Sequence, residues 1–283
     1  MNKKLLLGLG LLASQAPFLH GASLAVNLTL TTFAATQIEA GENTDALDAL
    51  LGINTSTWHN VAISSDGGGA LEDPNGTVIS LGTVDLTYHA ANGFSAGTEG
   101  LSGNDASQQV FRIYLDDSDN FTTYELGDGY GLTLQLSNLS TFLSDNSASG
   151  YTLSILYASD NELTEFRQTE VREGLLDGSN RVADLNLLAT LDAPTILANG
   201  IYAPFDDTVG SAPPLPRNQL GTRAYVNSGV FTADSITLAS PSFGDGRGSI
   251  AGFVITTVAI PEPTSISLLG LGLALGLTRR SRK

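Results

Sequence analysis

Hydrophobic residues alternate with polar residues along much of the central part of the chain. The clearest stretches are residues 26–31, 132–136 and 151–157, where an apolar side chain recurs at nearly every second position. Successive side chains of a β-strand point to opposite faces of a sheet, so this period of two predicts half-buried strands. Clusters of Gly, Asp, Asn and Pro separate such stretches, as at 66–69 and 74–76, and predict turns.

The same pattern predicts about ten or eleven short strands with turns between them. Further strands are expected at 58–63, 84–88, 110–115, 165–171, 182–188, 223–226, 235–238 and 250–258. Short helices are expected at 44–51, with Thr44 as the capping residue, and near 140–144, with Ser140 as the capping residue. We therefore predict an all-β fold, a single jelly-roll-like β-sandwich with one or two short helices, over residues 26–258.

The first 25 residues have the layout of a secretory signal peptide. Two lysines precede an apolar run over residues 5–13, and small residues follow between 21 and 25. This layout predicts export through the Sec translocon and removal of an N-terminal helix by signal peptidase. Cleavage is expected after Ser23 or after Ala25, because each of these residues has a small residue two positions before it.

The C-terminal end, residues 259–283, has three distinct parts. Pro261, Glu262 and Pro263 come first, and the apolar stretch 264–278 follows them. As a helix this stretch would reach about 22 Å, against about 30 Å for a bilayer hydrocarbon core, which predicts a marginal transmembrane helix. The chain then ends in a basic tail, whose positive charge favours the cytoplasmic side of the membrane: Arg279, Arg280, Arg282 and Lys283.

These three parts, in this order at the end of an exported chain, resemble a PEP-CTERM sorting signal. Such signals occur on exported proteins of Gram-negative bacteria that make exopolysaccharide. The resemblance implies recognition by an exosortase, a membrane enzyme that cuts near the Pro-Glu-Pro motif. It also implies transient anchoring in the inner membrane through the C-terminal helix, followed by transfer to the cell surface or the extracellular matrix.

Charge is distributed very unevenly between the body and the two ends. The whole chain carries 13 basic and 29 acidic residues, a net charge of -16. Residues 26–258 hold 7 of the basic and 28 of the acidic residues, so their net charge is 7 - 28 = -21. Such a body repels a phosphate backbone, which argues against nucleic-acid binding. The absence of Cys excludes disulfides, thiolate metal sites and a Cys nucleophile.

Little in the sequence points to catalysis. The body contains two histidines, His59 and His89, both in predicted strands beside aromatic residues. We therefore predict no catalytic residues and a protein that is not an enzyme. The many acidic residues leave open a pair of carboxylates for glycoside cleavage. A secreted polysaccharide-active enzyme, a glycoside hydrolase or lyase on the same sorting signal, is thus the alternative.

Two binding sites are expected in the body besides the sorting signal. Calcium takes oxygen ligands from acidic loops, and the densest run is Asp116, Asp117, Asp119 and Asn120, although it lacks the glycine of an EF-hand. A polar turn is the alternative there, and no other cofactor is expected. Sugars, including exopolysaccharide, would stack on exposed aromatic rings, for which the candidates are Trp58, Tyr88 and Tyr124. We predict a structural or glycan-binding body.

Overall fold

Strands dominate the part of the chain that the computed structural model describes. The described residues are 21–30, 38, 47–48, 51, 53, 58–63, 69–70, 77–90, 92–95, 110–111, 113–116, 130–159, 168–178, 181–192, 222–241 and 249–259. The strands are β1 (Ser23–Leu30), β2 (Trp58–Ile63), β3 (Gly69–Ala70), β4 (Ile79–Leu81), β5 (Val84–Ala90), β6 (Asn92–Ser95), β7 (Ile113–Asp116), β8 (Tyr130–Ser137), β9 (Ala148–Ser159), β10 (Gln168–Glu173), β11 (Asn186–Asp192), β12 (Thr222–Asn227), β13 (Ile236–Pro241), β14 (Ser249–Ile250) and β15 (Gly252–Ala259). Helix α1 (Leu139–Asp145) follows β8, and a short 3₁₀ helix (Val182–Asp184) precedes β11.

These strands form three sheets. Sheet I has the order β12-β9-β15-β1-β2, sheet II has the order β11-β10-β13-β8-β5-β4, and sheet III has the order β14-β7-β6-β3. Neighbouring strands are antiparallel except β1 and β2, which run parallel. The all-β, sandwich-like prediction is confirmed at this level. Among the described residues, no helix is both long enough and apolar enough to cross a membrane, and the predicted span 264–278 lies outside them.

A main core joins the inner faces of sheets I and II. It contains buried side chains from both sheets, among them Val26, Leu28, Leu153, Phe253, Leu86, Leu134 and Leu238. The alternating apolar positions of the sequence supply these side chains, as in β8, where Leu132, Leu134 and Leu136 are all fully buried. Burial of this apolar surface is the main term that stabilises the sandwich.

The outer face of sheet I is buried as well, which the alternation did not predict. Ala25, Trp58 and Val254 lie in a second core together with Leu47 and Phe111 from the connecting segments. The polar positions of β1 are therefore buried too, since Asn27 and Thr29 have no exposed surface. Alternation of apolar and polar residues is typical of a strand with one buried and one solvent-exposed face. It does not reveal whether distant segments cover the second face.

The Asn27 side-chain nitrogen and the Thr29 hydroxyl, both on β1, donate hydrogen bonds to the neighbouring strand β2. The Asn27 side-chain nitrogen donates to the Asn60 oxygen at 2.9 Å. That oxygen also accepts from the Ile38 backbone N–H, and the Asn60 nitrogen donates to the Ile38 carbonyl, both at 2.9 Å. Asn60 therefore ties the segment at residue 38 to the outer face of sheet I.

Of the two predicted helices, the one near 140–144 is confirmed as α1. Its capping differs from the expectation, because Asn138 precedes the helix with a left-handed φ of 63° and Ser140 lies inside it. Asp234 supplies the cap from another part of the chain. Its carboxylate accepts the Ser140 N–H at 2.9 Å and the Ser140 hydroxyl, and these two hydrogen bonds hold the pKa of Asp234 below its ordinary value. For the helix expected at 44–51, the structure describes residues 47, 48 and 51, all helical.

Replacement of Asp234 by alanine should lower the free energy of unfolding by about 1 kcal/mol, the usual cost of losing an N-terminal cap. Because folding lowers the pKa of this carboxyl, its contribution is complete above the unfolded pKa of about 4 and is lost as the pH falls below it. Denaturant unfolding at several pH values would measure both effects. Asp145→Ala, at the other end of the same helix, is the control and should not destabilise. An equal loss in both variants would contradict the capping role.

Candidate functional site

The C-terminal end leaves the sandwich directly from a central strand. In sheet I, β15 lies between β1 and β9, and its register runs as far as Ala259, which faces Ala148 of β9. A bulge between Val258 and Ala259 interrupts the last step of this pairing. Pro261 follows two residues after Ala259 in the sequence.

The N-terminal end of the body lies at the same end of sheet I. Ser23, the first residue of β1, faces Thr256 of β15. The carbonyl of Ala22 accepts the backbone N–H of Thr257 at 2.9 Å and its hydroxyl at 3.1 Å. The start of β1 and the end of β15 therefore lie side by side at one end of sheet I.

The comparison with protein families decides what the C-terminal segment is. Residues 259–283 match the PEP-CTERM protein-sorting motif. The chain carries a PEP-CTERM sorting signal. This PEP-CTERM signal implies an exported protein that an exosortase sorts at the membrane. Its match begins at Ala259, the last residue of β15. No match to the chain was found among curated proteins.

The residues of the PEP-CTERM signal itself lie outside the described residues. They are the motif Pro261, Glu262 and Pro263 and the basic tail Arg279, Arg280, Arg282 and Lys283. The structure therefore places the signal only by its attachment point, the end of β15.

Two of the aromatic rings proposed for sugar stacking are buried rather than exposed at the surface. Trp58 begins β2 and is 8% exposed within the second core, and Tyr88 in β5 is 5% exposed within the main core. A sugar could reach either ring only after the covering residues moved. Tyr124 lies outside the described residues, so the stacking role stays a prediction.

The predicted calcium ligands are described only at their first position. Asp116 is the last residue of β7, and its backbone pairs with Asn92 on one side and Ser249 on the other. Asp117, Asp119 and Asn120 lie outside the described residues. Within the described ranges, no three His, Cys, Asp or Glu side chains come close enough to hold a metal ion. Calcium at residues 116–120 stays a prediction.

One polar cluster that the sequence analysis missed lies on sheet II. Tyr130, Glu170 and Arg172 come together there, on strands β8 and β10. The Tyr130 hydroxyl donates to Glu170 Oε2 at 2.6 Å, and Arg172 Nε donates to the same oxygen at 2.7 Å. Arg172 Nη2 also donates to the Tyr130 hydroxyl at 3.1 Å, with the guanidinium carbon 5.7 Å from the ring centre.

Burial and these hydrogen bonds set the protonation of the cluster. The side chains of Arg172 and Glu170 are 11% and 15% exposed. Burial raises the pKa of Tyr130, and the hydrogen bond to Glu170 raises it further. For Arg172, burial lowers the pKa, but the hydrogen bonds to Glu170 and Tyr130 outweigh it and raise the pKa above its ordinary value. The phenol is therefore neutral and the guanidinium charged at neutral pH.

The cluster holds a loop rather than presenting a reactive group. Arg172 Nη1 donates to the Leu185 carbonyl at 2.7 Å, and Leu176 N–H donates to Gln135 of β8 at 2.7 Å. Val182, between these two points, is fully buried against Tyr130 and Ala239. These contacts fix residues 174–178 and 181–185 to sheet II. Only the two-residue spacing of Glu170 and Arg172 on one strand face could have indicated such a pair from the sequence.

Proposed function

We propose that this protein is an exported, non-enzymatic protein of the cell surface or extracellular matrix, with a structural or glycan-binding β-sandwich body. The match of residues 259–283 to the PEP-CTERM motif carries the export and sorting in this proposal. The attachment of that motif supports it, because the signal starts where the central strand β15 ends. A sorting enzyme that cuts near Pro261 would release the body with all of its strands.

The proposed route has several steps beyond the sorting motif. The Sec translocon exports the chain, and signal peptidase removes the leader within residues 1–25. The helix at 264–278 then anchors the body in the inner membrane, with the basic tail 279–283 in the cytoplasm. The exosortase cuts near Pro261–Pro263, and the body, proposed as a jelly-roll-like sandwich, passes to the cell surface or matrix.

Exopolysaccharide is the proposed partner of the body. A net charge of -21 over residues 26–258 disfavours direct binding to anionic polymers. We therefore propose that binding to an anionic glycan is strengthened by divalent cations, for which Asp116–Asn120 is the candidate site.

Affinity electrophoresis of the mature body in gels containing the host's exopolysaccharide tests this proposal. We expect slower migration than in polymer-free gels, more strongly with calcium than with chelator, and no fall in polymer viscosity during incubation. Tyr124→Ala should reduce the retardation if that ring stacks on sugar. A fall in viscosity would instead support the hydrolase or lyase. Unchanged migration with and without calcium would leave the structural role and contradict glycan binding.

A further inference from the structure

The first strand of the sandwich begins inside the segment that the sequence assigns to the signal peptide. Ser23, Leu24 and Ala25 are all in β1, and they face Thr256, Ile255 and Val254 of β15 in order. Ala25 also pairs with the first residue of β2 on its other side. Signal peptidase must therefore cut within a few residues of the start of β1 if the leader is to be removed and the strand is to remain.

Leu24 and Ala25 belong to the two cores of the body. Leu24 is 5% exposed and packs in the main core, between sheets I and II. Ala25 has no exposed surface and packs in the second core, on the opposite face of sheet I. A mature chain that lacked these residues would open both cores at the same strand end, next to β15.

The two residues before them contribute much less. Ala22 is exposed and takes part through its carbonyl, which accepts from Thr257. Ser23 is half-buried, and its hydroxyl lies 3.4 Å from that of Thr256, at the outer limit of a hydrogen bond. Without these two residues the body would lose contacts at the end of β1, but it would not lose a buried apolar side chain.

Signal peptidase requires a small residue at the cut and another two positions before it. Gly21 and Ser23 meet this requirement for a cut after Ser23, and Ser23 and Ala25 meet it for a cut after Ala25. The sequence alone does not separate these two sites. Only the first leaves Leu24 and Ala25 in the folded body.

We propose that signal peptidase hydrolyses the peptide bond between Ser23 and Leu24. Water supplies a hydroxyl to the carbonyl carbon of Ser23, which departs with the leader as a carboxylate. The nitrogen of Leu24 takes up the proton and becomes the α-amine of the mature protein. This inference rests on the export that the proposed function includes, and it identifies the bond at which the body begins.

The N-terminal residue of the exported protein tests the inference. The full chain would be expressed in a Gram-negative host that secretes it, and the processed body would be analysed by N-terminal sequencing and intact mass. We expect the chain to start at Leu24. A start at Val26, at any other residue, or with the leader still attached would overturn the inference.

A pair of leucine substitutions separates the two sites without depending on the folded body, since cleavage takes place during export. Gly21→Leu puts a large residue two positions before the proposed cut and leaves Ser23 and Ala25 intact for the other. It should reduce chains starting at Leu24 by about tenfold or more. Ala22→Leu, one residue further on, is the matched control and should leave them unchanged. An unaltered start in Gly21→Leu would also overturn the inference.

The readout is independent of what the body binds. A body that is not retained by exopolysaccharide but starts at Leu24 would contradict glycan binding and support this cleavage site. A body that binds glycan but starts at Val26 would do the reverse.

Discussion

Replacement of Pro261, Glu262 and Pro263 together by alanine should leave the protein in the inner membrane as an uncut precursor. Two prolines keep the motif extended, since each has a fixed φ and disfavours helix in the residue before it. Alanines would remove this restriction and let the proposed helix at 264–278 extend towards β15, so an enzyme that needs an extended substrate would bind the motif less well. Released protein should fall by about tenfold or more, because a loss of about 1.4 kcal/mol in transition-state binding already gives that factor.

Membrane fractionation followed by immunoblotting measures this effect directly. The chain offers a matched control in Pro214-Leu215-Pro216, which has the same Pro-x-Pro spacing within the body. Its replacement by three alanines should leave release unchanged. Normal release of the 261–263 variant, or an equal loss in both, would contradict the role of the PEP motif as the recognition site.

Leu134→Ala should destabilise the body by about 2–5 kcal/mol, the cost of removing a fully buried leucine and leaving a cavity. Leu134 is fully buried in the middle of β8, where it faces Leu238 of β13 and Tyr88 of β5. The packing on both sides comes from strands held in register, so the site has little freedom to collapse into the cavity. Urea unfolding of the mature body, followed by its intrinsic fluorescence, would give the free energy of unfolding.

Leu187→Ala in β11 is the control, because it removes the same atoms from a side chain of the same sheet that is 47% exposed. Its effect should stay within about 0.5 kcal/mol, as for most surface substitutions. Similar losses in the two variants would contradict the assignment of the inner face of sheet II as the core.

Alternation of apolar and polar residues predicted the strands whose local pattern is regular. It failed where pairing with a neighbouring strand determines the bounds of an element. The run 132–136 corresponds to β8, whose leucines all point into the main core. The strand expected at 182–188 is instead a 3₁₀ helix at 182–184 followed by β11 at 186–192. Pairing with β10, which includes a register shift between Val171 and Arg172, determines where β11 starts. No residue of the segment itself encodes that pairing.

The sorting signal and the polar cluster differ in how far the sequence can predict them. A PEP-CTERM signal is read as a linear segment, so residues 259–283 could be recognised without any knowledge of the fold. Tyr130 and Glu170 lie 40 residues apart, and only the pairing of β13 with both β8 and β10 brings them together. The same holds for Asp234 and Ser140, which are 94 residues apart and form the cap of α1.

The position of β15 between two antiparallel neighbours has a mechanical consequence. Hydrogen bonds between antiparallel strands lie perpendicular to the strand axis. A pull on the C-terminal end acts along β15, so it loads the ladders to β1 and β9 in shear, many bonds at once. An edge strand pulled sideways would instead open one bond at a time. A body held at the cell envelope by its C-terminal end would thus resist drag through two hydrogen-bond ladders loaded in shear.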